Sequence, residues 1–318
     1  TIDQIKDKLQ ETRTILIEKH NGIFLDILDD FITRVNIFGL HFASLDIRQD
    51  SRIHQKVINQ IVEKYTGIDL NDLSETEKIE LLTNPSFTVK AEDFEEEIVV
   101  DTIKNVYQLK DIQEQNGELG VNRYIISNSE TIFDVLNVYA LFKFCGYKDE
   151  DIRFDIMPLF ETIRGLDGAE ATMNKLYNLP IYAEHLKRRK DRQSIMLGFS
   201  DGTKDGGYIK ANWEIYRTKE ILTAVSVKNQ IDVIFFDGRG GPPARGGGKT
   251  HEFYASQGKT IANNETQITI QGQTITSNYG TLPQAKHNFE QLYTAGIISD
   301  VFATSESQIA PDERILID

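Results

Sequence analysis

Phe235-Phe236-Asp237-Gly238-Arg239-Gly240-Gly241-Pro242-Pro243-Ala244-Arg245-Gly246-Gly247-Gly248 follows an apolar, β-branched run, Ile231-Asp232-Val233-Ile234, that reads as a buried strand. Six glycines between positions 238 and 248 leave this backbone largely without Cβ atoms. Such a segment can bend sharply and turn N–H groups toward a bound oxyanion. Arg239 and Arg245 add planar forks suited to phosphate or carboxylate. Flexible surface linkers favour Ser and seldom carry paired Arg behind a buried strand, so the stretch reads as a holder of a small polyanion. It ends Gly248-Lys249-Thr250, as a nucleotide P-loop does. That motif needs a glycine where Pro243 stands, and proline has no N–H to donate to phosphate.

Four further strands with the same grammar precede this one. Leu40–Ile47, Val121–Ser127, Arg153–Phe160 and Ser194–Ser200 are short apolar runs, most followed by a polar or Gly-containing turn and then a helical pattern. Ile268–Ile270 is a candidate sixth strand, continued by the apolar Thr274-Ile275-Thr276. Amphipathic helices are expected over residues 3–37 and 51–65, and a short helix over 75–84, capped by Ser74. The acidic stretch 93–114 reads as a helix with a solvated face rather than a metal site. The alternation is the βα repeat of an α/β fold. The chain is expected to form one domain, with leading helices through residue 37 and barrel or sheet elements from 38 to 300.

Composition narrows the function classes. The chain has 318 residues, 40% hydrophobic and 26% charged, which suits a globular protein with a sizeable core. No apolar run reaches membrane-spanning length and no signal peptide is visible. The single cysteine, Cys145, fits a reducing cytoplasm and lies in an apolar helical stretch, where a buried inert thiol is expected. A formal net charge of −14 argues against nucleic acid or an anionic membrane as partner. Any anion site must therefore be a local concentration of Arg and Lys.

The unusual residues fall at strand ends. Arg48 follows the first strand, Glu161 the third, Asp201 the fourth and Arg239 the fifth. In a (β/α)8 barrel these ends converge on one face; in an open doubly wound sheet they meet at a crevice. Either architecture gathers two acids and several cations into one enzyme-like site. Two carboxylates completed by substrate oxygens and water suit Mg2+ or Mn2+, whereas six scattered histidines and one cysteine do not make a zinc site. Each acid alone could equally be a helix-capping or first-turn residue. Lys204, three residues past Asp201 in a Gly-containing turn, can reach the same ligand or simply face solvent. Arg48 could pair with Asp46 or Asp50 instead of a substrate.

Taken together, four blocks resemble the phosphoenolpyruvate carboxylase family. They are Leu45-Asp46-Ile47-Arg48-Gln49-Asp50-Ser51 with His54; Met157-Pro158-Leu159-Phe160-Glu161-Thr162; Gly198-Phe199-Ser200-Asp201 through Lys204-Asp205; and Gly238-Arg239-Gly240-Gly241 through Gly248 with His251. Gln271-Gly272 and Tyr279-Gly280 look like the family's segment after the glycine loop. The resemblance implies a helix-rich (β/α)8 TIM-type barrel of the phosphoenolpyruvate/pyruvate-binding kind. It also implies carboxylation of phosphoenolpyruvate by bicarbonate to oxaloacetate and phosphate, with Mg2+ or Mn2+. Glu161 and Asp201 would be metal ligands, and Arg48 and Arg239 would hold the phosphate. Arg245 would help hold the bicarbonate-derived group and take part in inhibition by aspartate or malate. Lys204, Asp205 and His54 would support the site.

Three departures from the family pattern stand out. Asp237 occupies a position often held by His, placing a negative charge near an anion site. Pro242-Pro243-Ala244 is stiffer than the usual small residues, and Ile53-His54 replaces an Arg-His pair. The match has the character of the central segment of a longer, usually tetrameric, cytoplasmic enzyme, so this piece is expected not to complete the reaction alone. The competing readings are another metal-dependent enzyme of the phosphoenolpyruvate/pyruvate barrel and a non-catalytic relative. The first would need a phosphorylatable strand-end His, and the second would fit loss of a carboxylate or loop arginine.

Overall fold

The computed structural model describes residues 1–242, 246–297 and 309–317. In chain order the elements are α1 (Ile2–His20), α2 (Leu25–Phe38), β1 (Leu45–Asp50), α3 (Ser51–Thr66), α4 (Glu75–Thr83), α5 (Glu97–Asn116), β2 (Val121–Ser127), α6 (Ile132–Phe144), β3 (Asp155–Phe160), α7 (Ile163–Tyr177), α8 (Pro180–Arg188), β4 (Arg192–Gly198), α9 (Phe199–Gly206), α10 (Tyr208–Lys228), β5 (Asp232–Gly238), α11 (Thr250–Ala255), β6 (Thr266–Ile268), α12 (Gly272–Tyr279), α13 (Leu282–Ile297) and α14 (Pro311–Ile317). No helix among the described residues is long and apolar enough to cross a membrane.

The six strands among the described residues form one sheet in the order β1-β2-β3-β4-β5-β6, and β3 through β6 pair in parallel. This order decides between the two architectures left open by the sequence. A doubly wound sheet reverses its strand order at a switch point, which puts helices on both faces. Here the order never reverses, and between the parallel strands β3, β4, β5 and β6 right-handed crossovers put the intervening helices on one face. The fold is α/β, with the strand succession of a partial TIM-type barrel.

The chain divides into two compact units. One comprises residues 1–47, 86–124 and 141–154. Its core is aromatic: the ring of Phe142 stacks on Phe154 at 4.8 Å and meets Tyr147 and Tyr124 edge-on. Cys145 is buried here, and burial pushes its thiol up to about 12, which leaves it unreactive. The other unit comprises residues 48–85, 125–140 and 155–318. Its strands share a buried apolar layer of Ile125, Met157, Leu159, Met196 and Phe236.

Several boundaries differ from the sequence expectation for identifiable reasons. The helix expected over 3–37 is two helices, because Asn21, Gly22 and Phe24 adopt left-handed backbone conformations and turn the chain. The first strand begins at Leu45 rather than Leu40, since Gly39 and Phe42 also have positive φ. The acidic helix starts at Glu97, after a 3-10 turn over Ala91–Asp93. Phe199 and Ser200 open α9 instead of closing β4. The sixth strand is Thr266–Ile268, and Thr274-Ile275-Thr276 is helical, inside α12. The Ser74 cap stands as expected, as a full capping box with Glu77.

Candidate active site

The parallel register places the strand-end residues side by side. Leu159 lies opposite Met196, Met196 opposite Phe236, and Gly198 opposite Gly238. Leu159, Met196 and Phe236 belong to the same buried layer, so they share one face of the sheet. Side chains alternate along a strand, so Gly198 and Gly238, two residues past Met196 and Phe236, lie on that face without side chains. Glu161, two residues past Leu159, comes to the same face. A Cβ added at Gly198 would stand 2.5 Å from the Cβ of Glu161, so this position has room for glycine alone unless Glu161 moves.

Glu161 is held from the end of β2, where the sequence reading placed no candidate residue. The N–H of Asn128, directly after β2, donates to Glu161 Oε1 at 2.9 Å. Asn128 has a left-handed φ of 56°, and its carbonyl accepts from the Ser51 hydroxyl at 2.7 Å. This arrangement ties the end of β2 to the N-terminus of α3. Asn is among the few non-glycine residues that adopt this conformation readily, and its place after the Val121–Ser127 run was the available signal.

Asp201, in the first turn of α9, comes within hydrogen-bonding reach of Glu161. Burial raises the Glu161 pKa above the usual carboxylate range. The Asn128 N–H opposes that shift, while Asp201 adds to it through charge and a hydrogen bond, and Asp50 adds a little more. Two like charges thus face each other. Lys204 pairs with Asp201 at 2.5 Å, but their side chains are 71% and 49% exposed, so solvent screens that bond. Asp205 does not join the carboxylate pair. Its Oδ2 accepts from the Ile163 N–H at 3.0 Å, fastening α9 to the start of α7 just behind Glu161.

The arginines approach on aromatic rings. The Arg48 guanidinium lies 5.7 Å from the Phe236 ring centroid, which places it over the shared apolar layer. Arg48 lies within β1 rather than after it. Among the acids near it in sequence, Asp46 pairs with Arg123 at 2.7 Å and Asp50 is gripped bidentately by Arg52 at 2.8 and 2.6 Å. Arg239 is only 7% exposed; its guanidinium stacks 4.1 Å from the Phe253 centroid, and its Nε donates to the Gly246 carbonyl at 2.8 Å. Phe253 meets Phe199, the first residue of α9, edge-on at 5.7 Å. That contact links Arg239 to the helix bearing Asp201.

The glycine loop is bonded at both described ends. The Gly241 N–H donates to Gln271 Oε1 at 3.2 Å, and the Gly247 N–H to the Pro242 carbonyl at 2.9 Å. Gly246 has φ +75° and packs so closely on Phe199 that a Cβ would clash with its ring. Arg245, with Pro243 and Ala244, lies outside the described residues. His54 is buried in α3, and burial brings its pKa down to about 4, so it is neutral near pH 7.

The charge of Asp237 is matched within the fold. Phe236 faces the apolar layer, so Asp237 points the other way, toward α10 and α11. There Lys219 reaches both its oxygens, at 2.7 and 2.9 Å, and the Tyr254 hydroxyl donates at 2.7 Å. Burial pulls the Lys219 pKa down while Asp237 holds it up. Burial and Asp237 push the Tyr254 phenol up, so it stays a donor. Lys219 went unnoticed in the sequence, although a Lys four residues after Ile215 and three before Leu222 sits on the buried stripe of its helix.

Among the described residues no group of three or more His, Cys, Asp or Glu could cage a metal. The Glu161–Asp201 pair supplies two oxygen donors, which suits a cation that keeps other positions for substrate and water.

Residues 1–315 match the family model described as phosphoenolpyruvate carboxylase. The phosphoenolpyruvate carboxylase of Nitrosomonas europaea is 34% identical over 283 residues, covering 86% of this chain and 30% of that protein. The chain thus spans about 30% of the length of this curated relative. With the family model matched along nearly its whole length, the chain belongs to the phosphoenolpyruvate carboxylase family.

Proposed function

We propose that this chain supplies the metal- and phosphate-binding part of an enzyme that carboxylates phosphoenolpyruvate with bicarbonate, giving oxaloacetate and phosphate. The observation that carries the proposal is the meeting of Glu161 and Asp201 at adjacent strand ends, with a nearly buried arginine, Arg239, linked to the same helix through Phe253 and Phe199. The like-charged pair fits Mg2+ or Mn2+, which when bound contributes positive charge toward the oxygen of the developing enolate.

Attack of bicarbonate oxygen on phosphorus breaks the bond from phosphorus to the enol oxygen and yields carboxyphosphate and the enolate of pyruvate. Carbon dioxide released from carboxyphosphate, with phosphate as the other product, then adds to the enolate carbon. Negative charge grows on the phosphoryl oxygens and on the enolate together, so fixed cations are the main aid the protein can give. Arg239 and Arg48 hold the phosphate, with Arg239 preset by Gly246 and Phe253. Glu161 and Asp201 hold the cation, and Lys204 trims the charge on Asp201. Asp205 and Asn128 keep the two acids in place from α7 and β2. The apolar layer beneath excludes water that would hydrolyse carboxyphosphate or protonate the enolate. Arg245 is proposed to hold the bicarbonate-derived group and to engage aspartate or malate as inhibitor.

The test is oxaloacetate formation from phosphoenolpyruvate and bicarbonate. A polypeptide of the relatives' length that contains this segment should turn over, and Asp201→Ala should lower kcat by a factor on the order of 100 or more. The 318-residue chain alone should be inactive. Near-normal turnover with Asp201→Ala would overturn the assignment.

A further inference from the structure

Asp237 sits two residues before Arg239 and has no solvent exposure, and Lys219, its partner, is 1% exposed. Both carboxylate oxygens face the Lys219 ammonium, and the Tyr254 hydroxyl bonds to one of them. Lys219 also reaches Gln257 Oε1 at 3.3 Å. Tyr254 belongs to α11, which follows the glycine loop, while Asp237 belongs to β5, which precedes it. A single carboxylate therefore joins the two described ends of that loop and anchors both to α10.

The same network reaches Arg239 through one ring. Phe253 carries the Arg239 guanidinium at 4.1 Å and the Lys219 ammonium at 5.2 Å. Phe253 neighbours Tyr254 in α11, so the bond from Tyr254 to Asp237 fixes the helix on which Arg239 rests. Lys219 is too deeply buried to touch a substrate. A buried ion pair is also a poor source of stability compared with apolar residues of similar volume. Its value here lies in geometry.

We propose that Lys219, Asp237 and Tyr254 are positioning residues that hold Arg239 and the root of the glycine loop in the arrangement that receives the substrate phosphate. This rests on the phosphate role of Arg239 proposed above. It also explains how an acid is tolerated beside an anion site: Asp237 faces away from the site and is charge-matched by Lys219.

The experiment compares KM and kcat for phosphoenolpyruvate in the complete enzyme, with thermal unfolding measured alongside. The key variant replaces the pair with apolar residues, Lys219→Met with Asp237→Leu, which keeps the core filled and leaves no charge stranded. Unfolding near the parent temperature with KM raised roughly tenfold or more is the expected result. In an Arg239→Ala background the same pair of changes should raise KM no further, because the network acts through that arginine. Unchanged KM in the apolar pair, or the same fold-increase with and without Arg239, would overturn the proposal. Should the apolar pair fail to fold, Tyr254→Phe removes one hydrogen bond and no charge; it should raise KM only when Arg239 is present. If Arg239→Ala alone leaves KM unchanged, the phosphate role falls and the positioning role with it. If Arg239→Ala raises KM but neither network variant does, only the positioning role falls.

Discussion

Two carboxylate sites at neighbouring strand ends answer the same electrostatic problem in opposite ways. Behind β5, Asp237 is fully buried and receives an ammonium on both oxygens and a phenol on one. Beyond β3 and β4, Glu161 and Asp201 face each other, with one backbone N–H on the first and an exposed lysine on the second. The first site is neutralised by the fold. The second is half-buried and carries surplus negative charge: burial, and then the facing Asp201, raise the Glu161 pKa, an arrangement that a divalent cation would complement. Residue type does not separate a structural acid from a proposed metal ligand here; the countercharge supplied by the fold does.

The two sites should differ most in their contribution to stability. Asp237→Ala strands the Lys219 charge in the core and should cost about 3–5 kcal/mol. Asp201→Ala removes a half-exposed acid that repels its neighbour and should change stability by less than about 1 kcal/mol. Urea unfolding of the two variants measures the contrast, and equal losses would dissolve it.

Gly198→Ala should have an effect of intermediate size. The new Cβ meets Glu161, whose displacement should cost roughly 1–3 kcal/mol. Divalent-cation affinity should fall with it, while the near-ultraviolet signal of Tyr254 beside Asp237 stays as in the parent protein. Retained affinity would mean Glu161 has freedom that the register denies it.

The smallest effect is in pH dependence. A carboxyl whose folded pKa lies above its unfolded value binds its proton more tightly when folded. Its contribution to stability is full below the unfolded pKa and is lost as pH rises through the folded one. Without divalent cation, stability should therefore decline with pH from the ordinary Glu range upward. Glu161→Gln should flatten that decline, as denaturation midpoints across the range would show. An unchanged slope in Glu161→Gln would place the shift elsewhere.

Much of this was legible in the residues. The strand over Val121–Ser127 matches its apolar run, and Glu161 and Arg239 directly follow β3 and β5 as their apolar runs end. The choice between barrel and doubly wound sheet was not legible, because strand order is a property of long-range pairing. The break at Asn21-Gly22 was readable as a helix stop but was masked by continuous amphipathic periodicity on both sides. Asp237 looked like a charge near the anion site because its partner, Lys219, stands 18 residues away on another element. Pairings of that kind have no local signature. Asn128 escaped for a similar reason: its role is a backbone N–H, which any residue except proline carries.

The most direct test of the proposed strand-end metal site is Mn2+ titration followed by electron paramagnetic resonance, with and without phosphoenolpyruvate. It should be run on the parent protein, Asp201→Ala and the Lys219→Met, Asp237→Leu pair. Binding that phosphoenolpyruvate tightens, that Asp201→Ala abolishes and that the apolar pair leaves intact is the expected result. Mn2+ binding of equal strength in Asp201→Ala would contradict the assignment of Glu161 and Asp201 as the ligand pair.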